Sequence, residues 1–228
     1  MRKQSPAFKQ KLEGLDLKNT TFQPREALEL CQKLSYENFD PSVEVHVRTG
    51  IDPKKGDQII RASVTLPHGT GKTKRVAVFA EGEKAAEAKE HGADLVGGPE
   101  LIAEIKTSGR CDFDIAIATP DMMKSLAGIA RVLGPKGLMP SPKNDTVTTN
   151  IKDALLAVKA GKVTFKNDDS GIVHQIIGKR SFETDKLLEN YSAFIEALRK
   201  ARPAPVKGTY VKGITLATTM GPGIKIVV

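Results

Sequence analysis

Residues 76–80 read Val76-Ala77-Val78-Phe79-Ala80, five apolar residues with no polar side chain among them. A short continuous run of this kind is typical of a strand buried on both faces, as in a parallel sheet. The segment that follows, Glu83 to Glu90, has helical composition and is stopped by Gly92. This order of strand and helix predicts an α/β layer structure around residues 76–80.

The alternation of strand and helix continues along the chain. The predicted elements are strand 94–98, helix 99–109, strand 115–118, a helix from Thr119-Pro120-Asp121 to about Leu133 with Thr119 as its cap, and a helix capped by Asn150 and ended by Gly161. Such units form right-handed crossovers and a parallel sheet. We therefore predict that residues 67–160 form an inserted, Rossmann-like three-layer α/β domain.

The flanking segments have a different pattern. Between Val43 and Arg48 every second residue is valine and the others are polar or charged, which predicts a strand with one buried and one wet face. Further strands are predicted at 60–66, 162–166, 171–177, 210–217 and 224–228, and helices at Pro24 and Thr184. Neither flank alone has enough strands for a core. Joined, residues 1–66 and 161–228 predict a split α+β domain whose antiparallel sheet is formed by both chain ends.

Two chain crossings connect these predicted domains. One lies at Pro67 to Gly69 and the other at Ala160 and Gly161. Because the crossings are the only covalent links and are flanked by glycine, we predict a hinge there.

The charge favours an anionic partner. The chain of 228 residues has 35 Lys and Arg against 27 Asp and Glu, a net charge of +8. Residues 67–160 carry 13 cations and 12 acids, or +1, so the flanks carry 8 − 1 = +7. The basic surface is therefore expected on the split domain.

Cys31 and Cys111 have neither metal-ligand spacing nor a disulfide framework, so we expect buried free thiols in a reducing compartment. No apolar run approaches membrane-spanning length, and the N-terminus leads into no signal-like apolar segment. These features predict a soluble cytoplasmic protein without a membrane partner.

Enzyme-like signals are weak. The stretch 68–73 ends like a phosphate-binding loop, but Leu66 stands where that motif needs glycine, and a strand rather than a helix follows. His46 and His174 read as strand residues on a polar face, and Asp168 and Asp169 as turn residues. We therefore expect no catalytic site, no metal and no cofactor.

Two loops are candidates for RNA contact. Thr219-Met220-Gly221-Pro222-Gly223 lies between two predicted strands and combines a hydroxyl, a flexible apolar side chain and glycines. Phe39 precedes the first alternating strand and is either a core residue or an exposed stacking platform. On residue pattern alone, an ordinary glycine turn and a core phenylalanine remain open alternatives.

The third candidate loop is Arg131-Val132-Leu133-Gly134-Pro135-Lys136-Gly137-Leu138-Met139-Pro140-Ser141-Pro142-Lys143. It holds Lys136 and Lys143 on a backbone stiffened by proline and contains no acid, histidine or cysteine. This composition fits the presentation of positive charge, although a surface turn with stray lysines would share it.

Several stretches together resemble a known family. They are residues 39–46, 50–53, 66–69, 92–98, 131–143, 151–161 and 218–222, in the order and spacing of the large-subunit ribosomal protein L-one family, the stalk proteins, of bacterial type. The resemblance extends from about residue 7 to the C-terminus. It implies the same two-domain architecture and a protein that is cytoplasmic, on the ribosome, and monomeric when free.

The resemblance also implies partners and contact residues. The partners are the stalk of large-subunit (23S-type) rRNA, the exit-site tRNA whose release the stalk assists, and the protein's own operon mRNA, which it represses. The implied rRNA contacts are Phe39, Thr219, Met220 and Gly221, with Lys166 and Lys212 in support, while Lys136 and Lys143 contact RNA or tRNA from the second domain. Asn38 and Gly213 depart from the basic and hydroxyl residues common at those positions.

Overall fold

The computed structural model describes Leu17 and residues 20–227, with the side chain of Lys143 excepted. Its helices are α1 (Pro24–Leu34), α2 (Glu83–Glu90), α3 (Pro99–Ser108), α4 (Met123–Leu126), α5 (Ala130–Leu133), α6 (Ile151–Lys159) and α7 (Thr184–Lys200). Its strands are β1 (Ser42–Thr49), β2 (Arg61–Thr65), β3 (Val76–Phe79), β4 (Leu95–Gly97), β5 (Ile115–Ala118), β6 (Lys162–Lys166), β7 (Ile172–Lys179), β8 (Val211–Thr218) and β9 (Ile224–Ile226).

The described chain divides into two compact units. One contains the described residues up to Gly71 together with those from Val163 onward, and the other is Lys72–Lys162. This division falls a few residues after the boundaries given above, which stay predictions. The fold class is confirmed: the protein is a two-domain α/β protein with antiparallel and parallel sheets.

The first unit is built on a four-stranded antiparallel sheet in the order β7-β1-β8-β9. Strand β1 follows its valine alternation: Val43, Val45 and Val47 are fully buried against α1 and α7. The opposite face of the sheet has no helix packed on it among the element contacts of the described residues. Among the described residues, no helix therefore covers this face, which we call the open face.

Strands β2 and β6 form a separate two-stranded sheet. A turn connects β6 to β7, but among the described residues these two strands meet only at the isolated bridge between Asn167 and Val173. The cause is the backbone pairing of Asn167 with Ile60, which directs β6 toward β2.

The second unit is a three-layer structure around the parallel sheet β4-β3-β5. The run at 76–80 is buried on both faces, as its apolar composition predicts. Helices α2 and α6 cover one face and α3 with the short helices α4 and α5 covers the other. The predicted ends of α3 are confirmed, since Pro99 lies in its first turn and Gly109 takes the left-handed conformation after it.

Two expectations for this part of the chain were wrong. The helix expected up to Leu133 is a succession of 3₁₀ turns and the four-residue helices α4 and α5, and Thr119 makes no side-chain cap. Gly128, inside the middle 3₁₀ turn, lowers helix propensity there. Cys111 is half-buried rather than buried, whereas Cys31 is buried, and both are free thiols.

Candidate RNA interface

The 219–221 turn is fixed to the beginning of β1. The Thr219 N–H donates to Ser42 O at 3.1 Å, and the Ser42 N–H donates to Thr219 Oγ1 at 3.1 Å. The Gly221 N–H closes the turn on Thr218 O at 3.1 Å. This reciprocal pairing holds the turn in one position beside the loop that leads into β1.

Glu37 joins that loop to the turn. Its Oε1 accepts hydrogen bonds from the Met220 N–H and from Thr218 Oγ1, each at 3.1 Å. Its Oε2 accepts from the Tyr36 N–H at 2.9 Å and from Ser35 Oγ. Burial alone would raise the pKa of Glu37, but these hydrogen bonds outweigh burial and lower the pKa below its usual value of 4.5. The carboxylate is therefore ionised at neutral pH and holds the two segments together.

Phe39 and Met220 are presented on this framework. Their exposed fractions are 52% and 53%, so neither belongs to the core. The Tyr36 hydroxyl also reaches Met220 O at 3.3 Å. The interpretation of Phe39 as a core residue is therefore wrong, and two exposed apolar side chains lie on segments that Glu37 connects.

Asp40 anchors the Phe39 loop on its other side. Its Oδ1 accepts from the Ser181 N–H at 3.1 Å and its Oδ2 from Ser181 Oγ at 2.8 Å. Lys179 Nζ donates to Asp40 O at 3.0 Å. The loop is thus held to the end of β7 as well as to the turn, and it presents Phe39 with little freedom to rearrange.

Gly221 is required by packing rather than by an unusual backbone angle. A Cβ at this position would collide with Thr218 Oγ1, the hydroxyl that donates to Glu37. By contrast, a Cβ at Gly213 meets no atom within 4 Å. The glycine at 221 therefore keeps the turn closed over the Thr218–Glu37 bond.

Lys212 lies at the other end of β8, on the open face of the sheet. The pairing of Arg48 with Gly213 and of Thr49 with Val211 leaves Lys212 as the extra residue of a bulge. A groove of about 640 Å³ opens there, lined by Thr21, His46, Arg48, Ile172, Lys212, Gly213, Ile214, Thr215, Lys225, Ile226 and Val227. Three of these residues are cations and none of these described residues is a carboxylate, so the groove is suited to an anion.

His46 and His174 are strand residues, as predicted, and the structure places them opposite each other on β1 and β7. Their Nδ1 atoms lie 2.8 Å apart, and His174 Nε2 lies 3.4 Å from Asp168 Oδ2. Burial first, and the neighbouring His174 second, lower the pKa of His46 below 6.5. His46 is therefore neutral at pH 7 and lines the groove as an uncharged group.

Asp168 is a turn residue, as its place between two strands predicted. Its Oδ1 accepts from the Ile172 N–H at 2.7 Å and from the Ser170 N–H at 2.9 Å. These bonds, the one from Ile172 above all, lower the pKa of Asp168. Among the described residues no group of histidine, cysteine and acidic side chains has the arrangement of a metal site.

The remaining predicted residues lie elsewhere. Lys166 is exposed on β6 and is not part of the cluster around Glu37. In the second unit, Lys136 Nζ donates to Gly109 O at 3.3 Å, and Lys143 lies in the 3₁₀ turn Pro142–Asn144, its side chain outside the described part of the structure. The loop from 131 to 143 is compact, with Leu138 N–H donating to Leu133 O at 3.0 Å.

Asn190 determines the conformation of the first chain crossing. This buried residue donates to Gly69 O at 2.9 Å and to Ile177 O at 2.7 Å, and it accepts from the His68 N–H at 3.0 Å. Gly69 has a positive φ of 61°. At the second crossing, Ala160 ends α6 and Gly161 follows with φ 102°.

Sequence reasoning missed several of these residues. Glu37 and Asn190 act through partners distant in the sequence and carry no local signal. Arg48 lies on the polar side of the β1 alternation, and that pattern was sufficient to place it on the open face. Lys225 faces the groove because β9 pairs Lys225 with Thr215.

Both a family model and individual known proteins match this chain. The ribosomal protein L1p/L10e family matches residues 31–222, an interval that includes Phe39 and the 219–221 turn. The large ribosomal subunit protein uL1 of Rubrobacter xylanophilus is 52% identical over 205 residues, covering 90% of this chain and 89% of that protein. The large ribosomal subunit protein uL1 of Saccharopolyspora erythraea is 51% identical over 226 residues, covering 99% and 94%. No helix among the described residues is long and apolar enough to span a membrane.

Proposed function

Since the chain belongs to the ribosomal protein L1p/L10e family, whose members are non-enzymatic constituents of the large ribosomal subunit, we propose that it binds large-subunit rRNA through Phe39 and the 219–221 turn. The family places the protein on the ribosome, in the cytoplasm. In this proposal the protein and its rRNA form the mobile stalk at the exit site.

The observation that carries the proposal is the connection made by Glu37. It holds Met220 and the Phe39 loop on one framework while both apolar side chains remain about half exposed. Exposed apolar side chains on a rigid edge are costly in water, and unstacked bases or ribose faces of a folded RNA can cover them. Because the framework exists before binding, little ordering is needed when the RNA arrives.

The basic groove supports the same proposal. Arg48, Lys212 and Lys225 line it without a carboxylate among the described lining residues. Such cations bind phosphates and position the RNA, but they carry no sequence information. The protein is therefore proposed to recognise the shape of a folded RNA rather than a base sequence.

The same reasoning extends to the operon mRNA. An interface that reads phosphates, riboses and a few unstacked bases binds any RNA that reproduces the shape of the rRNA site. We propose that a segment of the protein's own message does so, and that the protein bound there represses translation.

The second unit is proposed to act on tRNA. Lys136 and Lys143 lie in the loop 131–143, which contains no acid, and they would contact further rRNA or the exit-site tRNA and assist its release. To reach the tRNA, the second unit must move, and we propose that the chain bends at Pro67–Gly69 and Ala160–Gly161. Because Asn190 ties residues 68 and 69 to α7, bending in the first crossing is expected after Gly69.

Binding to a fragment of large-subunit rRNA that contains the stalk tests the proposal. Wild-type protein should bind it at least a hundredfold more tightly than a random hairpin, with log affinity falling linearly with log salt. Met220→Asp should weaken binding by about 2–3 kcal/mol, because it places an anion in the contact. Phe39→Ala should cost about 1–3 kcal/mol through lost stacking.

Leu156→Ala provides the matched control. Leu156 is 52% exposed, as much as Phe39, but lies on α6 in the second unit. Its replacement should leave stalk-RNA affinity unchanged. Equal affinity of wild-type protein for the stalk fragment and for random hairpins would overturn the proposal, as would equal losses from Phe39→Ala and Leu156→Ala.

A further inference from the structure

Arg61 and Lys166 lie next to each other across the β2–β6 pair. The Asn167 N–H donates to Ile60 O at 3.3 Å, and the Ile60 N–H donates to Asn167 Oδ1 at 2.8 Å. These bonds join the residue before β2 to the residue after β6, so the two strands run antiparallel. Arg61 and Lys166 are therefore the first pair of cross-strand neighbours.

Both cations point away from the core. Ala62, Val64, Val163 and Phe165 pack into the hydrophobic core of the first unit, so the residues between them on each strand face the other way. Arg61 and Lys166 are exposed, and their side chains form no hydrogen bond or ion pair with any described residue. Like charges directly opposite each other destabilise a strand pair.

The surroundings of this pair contain an exposed apolar side chain and charges of both signs. Ile59, two residues before Arg61 in extended chain, is 51% exposed, and Lys54 and Lys55 are exposed in the preceding loop. Two acids lie in the same loop: Asp52, whose Oδ1 accepts from the Lys54 N–H at 3.2 Å, and Asp57, which is exposed. They offset the two lysines of the loop, so the excess positive charge of this surface comes from Arg61 and Lys166. Unpaired cations beside an exposed apolar side chain are the combination that fits the phosphate and ribose of an RNA strand.

This surface, which we call the ribbon patch (Ile59, Arg61, Lys166, Lys54 and Lys55), is separate from the Phe39 site. Phe39 precedes β1, whereas Asn167 forms a bridge with Val173, which pairs with Val47 near the other end of β1. Strand β1 is eight residues long, so its ends are about 23 Å apart. One nucleotide cannot reach both sites.

We propose that the ribbon patch is a second RNA-backbone contact, which binds the phosphates of another segment of the RNA held at Phe39 and Met220. The inference rests on the proposed function and extends it. The patch fixes the direction of the RNA along the protein because two contacts about 23 Å apart define a line. It adds affinity without sequence preference, since its groups recognise phosphate and ribose.

The test compares an Arg61→Gln/Lys166→Gln double variant with wild-type protein on the stalk rRNA fragment. The double variant should bind about tenfold more weakly at moderate salt, and the slope of log affinity against log salt should be shallower by about two. Its thermal unfolding should be unchanged or slightly higher, because the like-charge pair is gone. A Lys186→Gln/Lys200→Gln variant removes the same charge from α7 and should retain the wild-type slope.

The outcomes separate this inference from the proposed function. Suppose that wild-type protein binds the stalk fragment more tightly than random hairpins and that Met220→Asp weakens this binding. If the Arg61/Lys166 variant then binds with wild-type affinity and salt slope, the ribbon patch is not a contact. Equal losses from the Arg61/Lys166 and Lys186/Lys200 variants would also overturn it, since only total charge would matter. If wild-type protein shows no preference for the stalk fragment, the proposed function itself fails.

Discussion

The carboxylate of Glu37 accepts a hydrogen bond from the backbone N–H of Met220 at 3.1 Å, across 183 positions of sequence. The same carboxylate also binds the Thr218 hydroxyl and the Tyr36 N–H. One side chain thus satisfies groups from both ends of the chain at the point where the two exposed apolar residues emerge. Its removal should affect stability and RNA affinity together.

Glu37→Gln tests this role. Glutamine retains only one acceptor oxygen, so one set of donors loses its partner, and the free energy of unfolding should fall by about 1–2 kcal/mol. Affinity for the stalk RNA should fall several-fold, because the 219–221 turn is less firmly held. Urea denaturation and filter binding measure the two effects. Unchanged affinity in a destabilised variant would show that Glu37 supports the fold but not the interface.

The low pKa of Glu37 gives this bond a pH dependence. Because the folded-state pKa lies below the ordinary 4.5, the native state holds fewer protons, and the stabilisation is complete above that value. It is lost as the pH falls through 4.5 and below. The difference in melting temperature between wild type and Glu37→Gln should therefore be constant from pH 6 to 8 and shrink under acid conditions. A difference that does not decrease at all as the pH falls well below 4.5 would contradict an ionic origin.

Gly221→Ala should open the turn. The new Cβ collides with Thr218 Oγ1, which must move and give up its bond to Glu37. We expect a loss of about tenfold in stalk-RNA affinity, because a hydrogen bond to a charged group is broken, while circular dichroism still shows native secondary structure. Gly213 offers the contrast, since a Cβ there meets nothing.

Gly213→Ser should be well tolerated and should strengthen binding several-fold. It restores the hydroxyl that the family resemblance leads one to expect beside Lys212, in the anion-binding groove. Weaker binding by Gly213→Ser than by wild type would show that the close approach of RNA backbone, rather than a missing donor, explains the glycine.

The elements that the sequence predicted well are those determined by neighbouring residues. The alternation of valine with polar residues predicted β1, and Pro99 with Gly109 predicted both ends of α3. These predictions were correct because strand faces and helix termini depend on a few adjacent positions. The 120–133 segment failed because Gly128 and the packing of short turns onto the sheet outweighed its helical pattern of apolar residues.

The candidate site was predictable only in part. Phe39 and Met220 were found through a resemblance, since an exposed and a buried phenylalanine look alike in sequence. Glu37 was not found, because an isolated acid in a loop usually faces solvent, and its partners Thr218 and Met220 are about 180 positions away. Long-range hydrogen bonds have no periodicity by which a sequence could show them.

His46 should make RNA affinity depend on pH. Its pKa lies below 6.5 in the free protein, and it faces His174 with Glu44 and Asp168 nearby, while Arg48, Lys212 and Lys225 share its groove. Bound phosphates favour the charged imidazole and raise its pKa, so binding takes up a proton. Affinity should then increase as the pH falls from 7.5 to 5.5, by up to about tenfold for a shift of one pKa unit.

His46→Gln should lack this dependence, whereas His91→Gln, which removes a histidine from the second unit, should retain it. Binding curves at constant ionic strength provide the measurement. An identical pH profile for wild type and His46→Gln would exclude His46 as the titrating group.

Asn190 should be among the most sensitive positions in the first unit. It is fully buried, and Asn190→Ala leaves Gly69 O, Ile177 O and the His68 N–H without their partner. The free energy of unfolding should fall by about 3 kcal/mol. Cleavage by a protease after the first crossing should also be faster, because residues 68 and 69 lose their attachment to α7.

Glu189→Gln is the neighbouring control: Glu189 pairs with His68 at 2.6 Å but is exposed, so its replacement should cost less than about 1 kcal/mol. Equal stability of the two variants would mean that the crossing is held by its own glycine conformations, and the bending proposed after Gly69 would then extend back to Pro67.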